Sequence, residues 1–209
     1  MHSVRRALAG VLALVTVALP LRAQSLLSGV INADNAFTAF LAPASSPTMV
    51  QVANGTEWWR TVAFSGVQLQ AGESYQFRVR VDDIGTISGL LATLSISGDT
   101  HRFVGGGTTL LTNTAGGWTG ATTGWDTGVQ SLVAYGQMGG AIWGNRPQQY
   151  TPAEWAMQSN AAQWIWTADN CIDCTRYFTA NIVAVPEPAT WLLLAAGLLV
   201  LPFARRRLA

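Results

Sequence analysis

The chain reads as a mainly β protein, an antiparallel β-sandwich, and three observations point there. The segment Tyr75 to Asp82 alternates without a fault, with Tyr75, Phe77, Val79 and Val81 apolar and Gln76, Arg78, Arg80 and Asp82 polar. That is the period of two expected of a strand with one buried and one wet face. Short runs rich in β-branched and aromatic residues are separated by turn signals at Asn54-Gly55, Gln70-Ala71-Gly72, Ser97-Gly98-Asp99 and Gly105-Gly106-Gly107. Long helical periodicity is missing from the body, and many short strands at this spacing predict two packed antiparallel sheets.

Taken in order, Arg5 and Arg6 precede an apolar core from Ala7 to Leu19, and Ala23 offers a small residue for cleavage. Residues 1–23 therefore read as a secretory signal peptide, with Gln24 as the new N-terminus. Residues 24–184 form one domain of about 160 residues, long enough to bury roughly 70% of its unfolded surface. Within it Phe37, Ala39 and Leu41 alternate with Thr38 and, less cleanly, Phe40, while Val62 and Phe64 alternate with Thr61, Ala63 and Ser65. Leu90 to Ile96 begins apolar on both faces, as a central strand does, and Phe178, Ala180 and Ile182 mark a last one. A single short helix is predicted, with Thr151 as N-cap, Pro152 in the first position and Glu154 completing a capping box before Trp155, ending near Ser159 or Asn160.

Residues 185–209 are built differently. Pro186 and Pro188 hold an extended entry, because each ring fixes φ and pushes its predecessor out of the α region. The uncharged run from Ala189 to Ala204 predicts a transmembrane helix over 189–204. It spans roughly 24 Å at ~1.5 Å per residue, a little less than the ~30 Å hydrocarbon core. Trp191 would lie at the interface, and Arg205, Arg206 and Arg207 hold the C-terminus on the cytoplasmic side of the lipid.

Charge and motifs narrow the function. The body has ten carboxylates against six arginines and no lysine, a balance of −4, so the whole-chain +1 comes from the two ends. A weakly acidic body argues against nucleic acid as a partner, since that requires a clustered basic surface. No GxSxG elbow, HExxH helix or phosphate loop is present, and the body's lone histidine, His101, has Asp99 two residues away, a closeness in sequence that is poor evidence for a triad. The chain is accordingly expected not to be an enzyme, and no cofactor is assigned. Cys171 and Cys174 are the only cysteines. In an exported chain without a thioredoxin-like βαβ pattern they are expected to form a short structural disulfide; metal or redox use is the alternative.

Eight tryptophans lie in the body. An indole face stacks on the apolar face of a sugar, and it also fills a core. Trp164 and Trp166 share one face of a strand and are expected to be structural. Trp118 and Trp125 stand among Gly116, Gly117, Gly120, Thr122, Thr123 and Gly124, which reads as a mobile polar loop. They are the candidate ligand-binding residues, with Asp126 and Asn113 as hydroxyl partners. Alanine at Trp125 is expected to weaken binding without lowering the melting temperature.

Two resemblances add to this. Val185, Pro186, Glu187 and Pro188, the apolar helix from Ala189 and the closing Arg205–Arg207 cluster together resemble the PEP-CTERM sorting signal of bacteria that make extracellular polysaccharide. The resemblance implies recognition by an exosortase-type membrane protease and removal of the tail. The body would be left at the cell surface or in the extracellular matrix. The body itself is similar to galactose-binding-domain-like jelly rolls in Ala33–Leu41, Trp58-Trp59, Leu69–Gly72, Gly89–Ala92, and Trp164–Trp166 followed by Arg176, Tyr177 and Phe178. That family implies carbohydrate binding, often with a structural calcium, neither of which it places on residues of this chain. Two readings stay open: a module that binds extracellular polysaccharide, and a structural matrix protein without a defined ligand.

Overall fold

The computed structural model describes residues 24–85, 87–137 and 161–186. The signal peptide, the predicted helix from Thr151 and the transmembrane helix over 189–204 lie outside the described residues. So do Glu187, Pro188, Arg205, Arg206 and Arg207. Among the described residues there are thirteen strands and no helix, hence none long and apolar enough to cross a membrane.

The strands, in chain order, are β1 Ser25–Asp34, β2 Ala36–Pro43, β3 Val50–Gly55, β4 Val62–Leu69, β5 Tyr75–Asp82, β6 Gly89–Ser97 and β7 His101–Phe103. They continue with β8 Thr109–Leu111, β9 Trp118–Gly124, β10 Thr127–Gln130, β11 Leu132–Gln137, β12 Gln163–Thr167 and β13 Thr175–Ala184. They form two antiparallel sheets. One runs β11-β12-β6-β1-β4 with β8 added on β6; the other runs β10-β9-β13-β5-β2-β3 with β7 added on β13.

The core lies between the sheets and follows from alternation. From β5 it takes Tyr75, Phe77, Val79 and Val81; from β2 Phe37, Ala39 and Leu41; from β13 Phe178, Ala180 and Ile182; from β6 Ala92, Leu94 and Ile96. Aromatic pairs bridge the layers. Phe64 of β4 stacks on Phe77 at 5.6 Å, and Trp166 of β12 meets Phe178 at 5.5 Å. Burial at ~25 cal/mol per Å2 of apolar surface is the main stabilising term for such a core.

Several expectations are corrected. β1, ten residues long and central between β4 and β6, was not predicted. Its apolar residues come in pairs because a central strand is buried on both faces from Gly29 onward; the register shift beside Leu27 and Gly29 puts the extra residue in β4, and the pairing of β1 with β6 is unbroken. A Cβ on Gly29 would sit 2.7 Å from Leu94 and 2.9 Å from the Thr93 carbonyl, so glycine is required there. Asn54-Gly55 is not a turn but the end of β3, where Gly55 pairs with Phe37. Trp164 and Trp166 are both buried but in separate clusters, Trp164 with Leu91 and Ala162, Trp166 in the main core.

Candidate functional site

The wet face of β5 belongs to the outer side of the second sheet, and register places other residues beside it. One row across the strands reads Val129, Ala121, Tyr177, Arg80, Thr38, Asn54. The next reads Thr119, Thr179, Arg78, Phe40, Gln51. Opposite residues of antiparallel strands share a face, so each row is a line of neighbouring side chains.

Trp125 lies over these rows. Gly124 pairs with Thr127, which makes Trp125 and Asp126 the two-residue tip of the β9–β10 hairpin. The Thr122 and Thr123 hydroxyls donate to the carbonyls of Gly128 and Thr127 at 3.2 and 3.1 Å and hold that tip closed. The indole presents edge contacts to Tyr177 at 5.0 Å and Phe40 at 6.0 Å, and the Arg78 guanidinium stands 5.4 Å from its ring centre. Arg78 also donates to Asp126 Oδ2 at 3.3 Å and Gln76 Oε1 at 2.5 Å. Asp126 is 72% exposed, so its ion pair acts as a weak latch rather than a source of stability.

Two polar atoms on this face have no hydrogen-bond partner within the protein: Arg78 Nε and Thr179 Oγ1, on cross-strand neighbours. Both are buried, and each costs about 1–3 kcal/mol when left unpaired. The aromatic trio of Trp125, Tyr177 and Phe40 offers a ligand an apolar platform, with the guanidinium of Arg78 against the indole.

Of the four residues predicted to bind ligand, Trp125 and Asp126 come together here, and the other two do not. Trp118 is corrected: it is 5% exposed, points into the core and meets Phe77 edge-on at 6.3 Å. Its stretch is strand β9 rather than a loop, and Gly120 belongs there because a Cβ would lie 2.6 Å from Leu132. Asn113 is engaged in its own turn, accepting from Ala115 N at 2.8 Å and donating to the Leu111 carbonyl at 3.4 Å. Phe40 and Tyr177 were missed as site residues; the signal for them was an aromatic at the outward position of an alternating strand.

Cys171 and Cys174 are joined in a disulfide that closes the loop between β12 and β13. That loop is tied to the end of β5, since Asp83 N donates to the Cys174 carbonyl at 2.9 Å and Asp173 N to Asp83 Oδ2 at 3.2 Å. Burial raises the Asp83 carboxyl to about 6; the Asp173 amide opposes this, and the nearby Asp34 and Asp173 charges add to it. Asp169 goes the other way. Burial alone would raise it, but hydrogen bonds from Thr167 and Arg176, with the Arg176 charge, hold it below the usual carboxylate value. Among the described residues no group of three or more acidic, histidine or cysteine side chains is arranged to hold a metal ion.

The last strand ends at Ala184, and Val185 N donates to the Thr100 carbonyl at 2.8 Å as the chain leaves the sandwich. Residues 184–207 match the family model of the PEP-CTERM protein-sorting motif. Among curated proteins and among solved structures nothing matches the chain. The motif indicates an exported protein with a C-terminal, membrane-anchored sorting signal, an exosortase as processing partner and the cell surface as destination.

Proposed function

We propose that the sandwich is a non-catalytic carbohydrate-binding module, delivered outside the cell by its signal peptide and sorting tail, and that the outer face of the second sheet binds extracellular polysaccharide. The supporting observation is the grouping of Trp125 with Tyr177 and Phe40 beside the Arg78 guanidinium on the outer face of the second sheet. Aromatic side chains suit the C–H faces of pyranose rings, and the exposed Asp126 carboxylate beside them suits hydroxyls. Arg78 and Arg80 are paired with Asp126 and Asp82, so the face carries no net charge from these four groups and suits a neutral glycan. The body in this proposal is a galactose-binding-like jelly roll, in keeping with its two antiparallel sheets.

The test is affinity electrophoresis of the secreted protein in gels containing the producing cell's own exopolysaccharide. Retardation that Trp125→Ala removes supports the proposal. Unretarded migration of the wild type would favour the alternative, a structural matrix protein without a defined ligand.

A further inference from the structure

The row through Tyr177, Arg80 and Thr38 ends at Asn54 on the edge strand β3. Asn54 is also in the wall of a cavity of about 460 Å3 at the corner where β3 crosses to β4 and changes sheet. Thr56, Glu57, Arg60 and Thr61 line it as well. The corner is built rather than loose: Arg60 N donates to the Glu57 carbonyl at 3.1 Å, and the neighbouring Trp58 and Trp59 meet edge-on at 5.7 Å. Thr61 is 1% exposed, and its hydroxyl has no hydrogen-bond partner within the protein.

The lining selects a class of ligand. A carboxylate and a guanidinium in one wall disfavour a simple anion or cation, and the mixture of these groups with Val62 and Ala63 suits a ring that has both hydroxyls and a C–H face rather than a hydrocarbon. Side-chain amide, hydroxyl, acid and base groups together are what a neutral polyhydroxylated ring requires, and the volume lies in the range of small-molecule sites. From Tyr177 on β13 to Asn54 on β3 the row crosses three strand spacings, roughly 14 Å, more than a disaccharide covers.

We infer that the glycan runs across the strands from Trp125 into this corner cavity, where Thr61 and its neighbours hold a further neutral sugar ring. The inference rests on the proposed binding face and extends it to a second subsite, which makes the protein a reader of chain length.

The experiment uses disaccharide and hexasaccharide fragments of the same exopolysaccharide, titrated calorimetrically into wild type, Thr61→Val and Trp125→Ala. Thr61→Val removes a hydroxyl with no protein partner and keeps the shape, so the fold survives, which thermal melting checks. The hexasaccharide should bind at least about tenfold more tightly than the disaccharide in wild type, and Thr61→Val should abolish most of that gain while leaving the disaccharide unchanged. Trp125→Ala should weaken both. Equal hexasaccharide affinity in wild type and Thr61→Val overturns the cavity subsite while a Trp125→Ala loss still supports the face. A loss at Thr61→Val with none at Trp125→Ala overturns the face and with it the path across the strands.

Discussion

Replacing Asp83 by asparagine should make the protein more stable above neutral pH and remove a pH dependence that the wild type shows between about pH 4 and about pH 7. Asp83 is 3% exposed, its Oδ1 has no partner, and it lies near Asp34 and Asp173 at one end of the sandwich. Its carboxyl is raised from 3.8 to about 6, so the folded state binds the proton more tightly than the unfolded state. Stability is then full below the unfolded value and declines as pH rises through the folded one. At ~1.4 kcal/mol per pKa unit the whole shift corresponds to about 3 kcal/mol. The neighbouring Ile84 is 74% exposed and brings water to this end, so about 1–2 kcal/mol is the expected difference. Asparagine keeps an oxygen for the Asp173 N–H and carries no charge. Urea unfolding of both proteins at about pH 4 and about pH 8 measures it. A variant that is less stable than wild type at the higher pH, or that shows the same slope, would refute the reasoning.

Other predictions are more direct. Trp125→Ala, expected from sequence to leave the melting temperature unchanged, should lower it. Two edge-on aromatic contacts and a cation–π contact are worth about 2–3 kcal/mol together, or roughly 5–10 °C for a domain of this size, read by thermal melting. Gly29→Ala places a methyl 2.9 Å from a backbone carbonyl that cannot swing away and should cost about 2–3 kcal/mol in urea unfolding. Arg176→Met leaves Thr167 and Asp169 without their guanidinium partner and should cost about 2 kcal/mol. Because Asp169 is held low, that pair's contribution is present above 3.8 and fades as pH falls below it, the opposite slope to Asp83.

What could be read in advance followed the physics of alternation. β5 was legible because every second residue is buried and nothing interrupts it, and the same logic found β2, β4, β6 and β13. β1 was opaque because it is buried on both faces from Gly29 to Asp34, so Leu26-Leu27 and Val30-Ile31 stand side by side and no alternation shows. β9 has the glycine and threonine content of a loop, yet Gly120 is small on account of Leu132 and Thr167 from the facing sheet, a contact invisible along the chain. The candidate site was half legible. Trp125 and Asp126 drew attention as a Trp-Asp pair among glycines, but only the hairpin register shows that they fold back over Phe40, Arg78 and Tyr177. Trp118, seven residues earlier, faces the other way for the same reason. The tail was the plainest part, since its order of prolines, apolar run and arginines is a linear signal and needs no tertiary contact to be recognised.

The measurement that bears most directly on the binding face is two-dimensional NMR of the indole N–H groups during titration with the exopolysaccharide fragments. The Trp125 signal should move with saturation while the buried Trp118 signal stays in place. Shifts confined to tryptophans of the other sheet, or a Trp125 signal unmoved when the glycan is bound, would contradict the account.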